Sequence, residues 1–407
     1  MRALPVVSPP IIAPARLRAR GGVGLAVIVS GCLAPLDDGV VADDGIATST
    51  VTGGAADGDD APGSSSPADG GGDAGQDGPA ADADSGDPSD GAETTDTATD
   101  PPPVAPDGYT VVGNTVFDAD GQPHVFRGVA RPSLEWSSTG EGLAAADYQA
   151  MAGWGANVVR IALNQGFWLA GSSAHDAAYP SLIDQQIAWA HDAGLDVILD
   201  LHWSDRGDPS GALEQQRMAD ARSITFWSEV AARYADDGRV LFELYNEPHD
   251  VSWAVWRDGG PTGEGWDAVG MQSLYAAVRD TGADNVVIVG GLDWAYDLSG
   301  VPGNEIDGYN VMYATHPYDF DSKQPAAWDA DWGFLTATHA VIATEFGSFD
   351  CDASYSAALL EYAAAREMSW TAWAWYPGGC KFPALIENWN AAPSAAGALV
   401  RDALMGN

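Results

Sequence analysis

Residues 181–203 read SLIDQQIAWAHDAGLDVILDLHW. The first fourteen residues have the character of a helix. The last nine form a strand whose apolar positions Val197, Ile198, Leu199 and Leu201 run on almost without alternation. Continuous apolar runs of this kind belong to parallel strands buried on both faces. The run stops at a polar side chain, His202.

The same unit recurs in both directions along the chain. LAAADYQAMAGWG (143–155) precedes ANVVRIAL (156–163), and ALEQQRMADARSITFWSEVAARYAD (212–236), read as helical, precedes RVLFELYNEP (239–248). A helical stretch ending TGAD leads into NVVIVGG (285–291). YNVMYATHPY (309–318) and AVIATEFG (340–347) follow, then YSAALLEYAAAREM (355–368) and SWTAWAW (369–375). A last helix is expected near residues 394–404. Upstream, YTVVGNTVFDADGQPHVFRGVA (109–130) has turn signals at Gly113-Asn114 and Asp120-Gly121, so it predicts an N-terminal β-hairpin and a first strand near 125–129. Eight strands alternating with helical stretches predict an α/β fold, a (β/α)8 TIM barrel. A doubly wound open sheet is the alternative, but it usually carries a Gly-rich phosphate loop, and no convincing one is present.

Composition divides the 407 residues into three parts. Residues 1–31 read as a signal peptide: Arg2, Arg16, Arg18 and Arg20 precede the apolar run 23–29 and the small-residue segment Ser30-Gly31-Cys32. Val29-Ser30-Gly31-Cys32 resembles a bacterial lipobox, which would make Cys32 the lipidated first residue of the mature protein. An ordinary cleaved secretory signal is the alternative. Leu33 is not the Asp associated with inner-membrane retention, so cell-surface or outer-membrane residence is expected. Residues 32–106 are Asp, Gly, Ala, Ser, Thr and Pro with almost no large apolar side chains, a composition that predicts a disordered acidic linker. Residues 107–407 hold all 16 Trp and are the expected catalytic domain.

The formal net charge of -40 argues against nucleic acid or an anionic membrane surface as partner. Membrane contact is expected only through the N-terminal lipid, and the protein is expected to be a monomer. Once Cys32 is lipidated, Cys351 and Cys380 remain, an even pair that in an exported protein predicts a disulfide.

Polar residues gather where the apolar runs stop: Arg160, His202, Asn246, Glu247, His316, Tyr318, Glu345 and Trp373. In a βα barrel the C-terminal ends of the strands form the active-site face. A buried carboxylate there is costly unless something pairs or uses it. Glu247 and Glu345 fall on the fourth and seventh strands, and two carboxyls about 5 to 5.5 Å apart are the apparatus of retaining glycoside hydrolysis. Glu243 alternates onto the same face as Glu247, but deeper, and reads as structural. His202 and His316 read as donors near a sugar. They lack a third ligand at suggestive spacing, so no metal and no cofactor is expected.

These residues lie in ordered motifs: Phe126-Arg127-Gly128-Val129, Asn157-Val158-Val159-Arg160, Asp200-Leu201-His202-Trp203, Tyr245-Asn246-Glu247-Pro248, His316-Pro317-Tyr318, Thr344-Glu345-Phe346-Gly347 and Trp370-Thr371-Ala372-Trp373. The set resembles glycoside hydrolase family 5, the cellulase-type family, over nearly all of residues 109–400. The resemblance implies a (β/α)8 barrel with Glu247 as acid/base and Glu345 as nucleophile. Arg160 and Tyr318 would then attend Glu345, and Asn246 would hydrogen-bond the sugar 2-hydroxyl. Trp373 matches the family's platform beside the cleavage point, with Trp203 and Trp136, in the loops beyond strands 3 and 1, as further subsites. Trp375 is assigned to the core as an alternative.

The expected activity is endo-acting cleavage of a β-linked polysaccharide or oligosaccharide, foremost β-1,4-glucan. β-Mannanase, other β-glycanase and exo-β-glucosidase activities are alternatives within the family. A non-catalytic glycan-binding protein is the alternative outside it.

Overall fold

The computed structural model describes residues 107–406 except 212, 351 and 381. The signal peptide, Cys32 and the linker, all expected within residues 1–106, lie outside the described residues, as does Cys351.

Eight parallel strands close into a barrel in chain order. They are β1 (Arg127–Arg131), β2 (Val158–Asn164), β3 (Asp196–Trp203), β4 (Val240–Glu243), β5 (Val287–Gly290), β6 (Val311–Thr315), β7 (Val341–Ala343) and β8 (Ser369–Ala372). Closure comes from β8 on β1, with Trp370 opposite Arg127 and Ala372 opposite Val129. Gly128 permits close approach on the other side: a Cβ there would sit 1.8 Å from the Val158 carbonyl oxygen of β2.

Strand alternation builds two cores. Val158, Ile198, Leu241, Ile288, Met312 and Ile342 point into the barrel and pack together with Val116 and Phe126. Their neighbours Val159, Leu199, Phe242, Val287, Val289 and Val341 point outward into a larger core shared with the helices. Each such side chain, fully buried, contributes about 1.5–3 kcal/mol relative to exposure. Val116 comes from the N-terminal segment, which forms a three-stranded antiparallel sheet (Thr110–Val112, Thr115–Phe117, Pro123–His124) rather than a lone hairpin. The sheet extends the apolar filling at the barrel's N-terminal end.

The outer helices are α1 (Ala145–Gly153), α2 (Tyr179–Asp192), α3 (Ala221–Tyr234), α4 (Met271–Arg279), α5 (Ser354–Ala364) and α6 (Ala395–Met405). Two features depart from the expected alternation. Among the described residues no α-helix lies between β5 and β6. The stretch 212–236 is not helical from its start: α3 begins at Ala221, after a capping box in which the Asp220 side chain accepts from backbone N–H and Ser223 Oγ accepts from Asp220 N–H. That cap ends the loop that follows β3 and leaves 213–219 to fold over the barrel mouth.

Candidate active site

The inward positions one layer above Val158, Ile198 and Leu241 are Arg160, Asp200 and Glu243, all fully buried. Alternation along β2, β3 and β4 puts them there. The Arg160 guanidinium makes four short contacts. Nε donates to Glu243 Oε2 at 2.5 Å, one terminal nitrogen donates to Glu345 Oε1 at 2.6 Å, and the other donates to Asn246 Oδ1 at 2.7 Å and lies 3.0 Å from Asp200 Oδ2. A planar fork with five N–H donors suits this arrangement as no lysine would. Asp200, Glu243 and Glu345 raise the Arg160 pKa well above its ordinary value, overcoming the larger opposing effect of burial.

Glu345 stands two residues beyond β7 and Glu247 four residues beyond β4. Both are 1 % exposed. Tyr318, three residues beyond β6, donates its hydroxyl to Glu345 Oε2 at 2.7 Å. Its ring stacks on Phe349 at 5.2 Å. His316 Nδ1 lies 3.1 Å from Glu247 Oε1, and Nε2 lies 2.9 Å from Thr344 Oγ1, whose hydroxyl donates to Glu243 Oε1 at 2.7 Å. One oxygen of Glu247, one of Glu345 and a ring nitrogen of His316 all fall within 4.8 Å of one another.

Burial opposes a charged His316, yet Glu345, Glu243 and Glu247 raise it to about 9. Burial likewise pushes Glu243 up, and Arg160 and His316 outweigh it and bring the carboxyl down to about 2. A protonated His316 donates from both nitrogens, to Glu247 Oε1 and to Thr344 Oγ1. His202 Nδ1 lies 2.7 Å from Asp200 Oδ2. Burial lowers His202 and raises Asp200 well above its ordinary value, while the Arg160 guanidinium pulls Asp200 the other way.

Of the expected aromatic subsites, Trp373 follows β8 directly, and its ring lies parallel to His202 at 5.5 Å. The Trp373–Ala374 peptide bond is cis. Trp136 stands in the β1 loop, edge-on to Tyr376 at 5.5 Å and Phe382 at 6.4 Å, with its indole N–H donating to Glu141. Trp203 differs from expectation: it is the last residue of β3, not a loop residue, and is buried. Trp375 is fully buried against Trp154, a core position. Cys380 is disulfide-bonded.

Four polar residues join the site without having been anticipated there. Asp200 and Thr344 lie inside the ordered motifs, and strand alternation marks both as inward. Gln215 was hidden by the helical reading of 212–236. Its side-chain carbonyl accepts from Asn246 Nδ2 at 3.0 Å and its amide donates to the Glu247 carbonyl oxygen at 3.0 Å. With Arg160 on Asn246 Oδ1, both ends of that amide are fixed. Glu135, in the β1 loop, is 1 % exposed, and no spacing signal marked it.

Comparison with known proteins agrees with this geometry. Residues 117–379 match the family model Cellulase (glycosyl hydrolase family 5). Endoglucanase C of Evansella cellulosilytica is 28% identical over 301 residues, which are 64% of this chain and 34% of that protein. Endoglucanase E-5 of Thermobifida fusca is 27% identical over 282 residues, 65% of this chain and 54% of that protein. The chain thus spans between a third and a little over half of the length of these relatives. A beta-glucanase of Saccharophagus degradans, solved in complex with cellotetraose, superposes with a TM-score of 0.61 at 26% identity, covering 74% of this chain and 93% of that one.

Proposed function

The chain belongs to glycosyl hydrolase family 5, and on that premise we propose that it is a retaining, endo-acting hydrolase of β-1,4-glucan. The observation that carries the mechanism is the short gap between the two carboxylates, with an oxygen of each within 4.8 Å. Retaining pairs stand about 5–5.5 Å apart, whereas inverting pairs need about 6.5–9.5 Å to admit a water. The substrate reading is supported by relatives named endoglucanases and by the beta-glucanase solved with cellotetraose.

In this reading Glu345 attacks the anomeric carbon. Its Oε1 is held by Arg160 and its Oε2 by Tyr318, so the nucleophile is oriented from two sides. Glu247 protonates the departing oxygen. It then takes a proton from the water that attacks the glycosyl-enzyme ester and releases the sugar. His316 positions Glu247 Oε1. Asn246 meets the 2-hydroxyl, its amide oriented by Arg160 and Gln215. Trp373 offers a flat face to the sugar's C–H groups.

The test is release of reducing ends from carboxymethylcellulose, mannan, xylan and β-1,3-glucan, with analysis of the product anomer. β-Anomers from cellulosic substrate are expected. No release from any β-glycan, or α-anomers, overturns the reading. Glu345→Gln should abolish turnover.

We further propose export and lipid anchoring through Cys32, with residues 32–106 as a spacer between membrane and enzyme. The basis is the order of basic, apolar and small residues before Cys32. Cys32→Ser should move the protein from the membrane fraction to the soluble fraction. An unchanged distribution rejects the anchor.

A further inference from the structure

Glu135 stands at the mouth of the barrel with no part in the double displacement. It lies four residues beyond β1 and is 1 % exposed, the same as Glu247 and Glu345. Oε2 accepts from the Ser133 N–H at 2.7 Å. Oε1 is buried and has no hydrogen-bond partner among the described residues. A buried carboxyl oxygen left in that state destabilises the fold unless something uses it.

The backbone around it is built to hold it there. Ser133 has φ of 108°, a left-handed value that a non-glycine residue rarely adopts. The Glu135 carbonyl accepts from Asn164 Nδ2 at 2.7 Å, which ties the loop to the end of β2. Tyr179 donates its hydroxyl to the neighbouring Leu134 carbonyl at 2.8 Å. Strain and three anchors around an unpaired oxygen describe a prepositioned group, not a loop residue that happens to be buried.

Its placement points to the sugar. Its chain neighbour Trp136 meets Phe382 edge-on at 6.4 Å, and Phe382 meets Trp373 at 5.8 Å, so the loop packs on the side of Trp373. His202, which lies parallel to Trp373, feels the Glu135 carboxylate, which raises it against the larger effect of burial. The leaving group departs toward Glu247 on the β4 side. In a closed eight-strand barrel, β8 and β1 lie across the mouth from β4 and β5. A glycan running across the mouth therefore carries its glycone, the part bound to Glu345 in the intermediate, toward Glu135. We propose that Glu135 is a specificity-determining residue whose carboxyl hydrogen-bonds hydroxyls of the glycone sugars. This rests on the glycosidase reading above. Burial raises the group to about 7 against the pull of His202 and nearby backbone N–H groups, so near neutral pH it can accept from one hydroxyl or donate to another.

A cycle of enzyme and substrate changes tests it. Wild type, Glu135→Gln and Glu135→Asp are assayed on an aryl β-cellobioside and on analogues each lacking one glycone hydroxyl. The expected result is a loss of about 10- to 100-fold in kcat/KM for Glu135→Gln on the full substrate. That loss should shrink to within about threefold on the analogue missing the contacted hydroxyl, since the two changes remove one interaction. A merely structural role would lower every substrate alike, and that result overturns the inference, as does activity within about twofold of wild type. If Glu135→Gln does not fold, Glu135→Asp carries the same cycle. Wild-type enzyme that turns over no β-1,4-glucoside overturns the glycosidase reading and this inference together. An active wild type with an indifferent Glu135→Gln overturns this inference alone.

Discussion

Replacing Tyr318 by Phe removes one oxygen and leaves the ring. The lost contact is a 2.7 Å hydrogen bond to Glu345 Oε2 in a buried setting. A hydrogen bond to a charged group contributes about 1.5–3 kcal/mol. Glu345 does not lose all its support: Oε1 keeps Arg160 at 2.6 Å, and Oε2 keeps His316 Nδ1 at 3.8 Å. The remaining field places the loss in the lower half of that range, about 1.5–2 kcal/mol. At ~1.36 kcal/mol per decade this is a fall of about 10- to 30-fold in rate. The Phe ring can still stack on Phe349, so thermal unfolding should move little. Initial rates on an aryl β-cellobioside and on carboxymethylcellulose measure the effect, and kcat and kcat/KM should fall together. Activity within twofold of wild type, or a loss confined to KM, would refute the assignment of Tyr318 to the nucleophile.

Further outcomes follow from the same contacts. Glu247→Ala should lose about 10²–10⁴-fold on cellulosic substrate, yet still react rapidly in the first step with an aryl glycoside whose leaving group needs no proton; equal losses on both would reject Glu247 as the acid. Gln215→Ala should cost roughly 2- to 12-fold by freeing the Asn246 amide, and almost nothing further in an Asn246→Ala background. Additive losses would show that Gln215 acts elsewhere. Stability should also follow pH. His316, raised to about 9, contributes stability that is complete below about 6.5 and lost as pH climbs through 9. Glu243, lowered to about 2, contributes stability that is complete above its ordinary value and lost as pH falls toward 2. Urea midpoints across that range should show both limbs, and His316→Gln should flatten the alkaline one.

The barrel was legible because parallel strands buried on both faces leave continuous apolar runs, and 195–203 is such a run. Glu247 and Glu345 were legible because a carboxylate at the end of such a run is too costly to keep without a partner or a task. Gln215 was not, since ALEQQRMADARSITF has the composition of a helix and only the Asp220 cap decides where the helix starts. Trp203 closes β3 and does not stand in the loop beyond it, because strand ends are set by pairing geometry: Asn164 opposite Trp203, across a register shift, extends β3 to its last residue. Glu135 carried no signal, since its meaning depends on a left-handed backbone at Ser133 and on His202, 67 positions away in the chain.

The contacts around Arg160 have a second life as a seam. Arg160, Asp200, Glu243, Asn246 and Glu247 all come from the first half of the barrel, whereas His316, Tyr318, Thr344 and Glu345 come from the second. Three hydrogen bonds run between the halves: Arg160 to Glu345, His316 to Glu247, and Thr344 to Glu243. Parting the halves would leave Arg160 and Glu243 joined to each other, and would leave Glu345 and His316, 3.8 Å apart, without Arg160 on the one and Glu247 and Glu243 on the other. In the proposed reaction a glycan chain lying over Glu247 and Glu345 would bridge the same line and clasp the two halves.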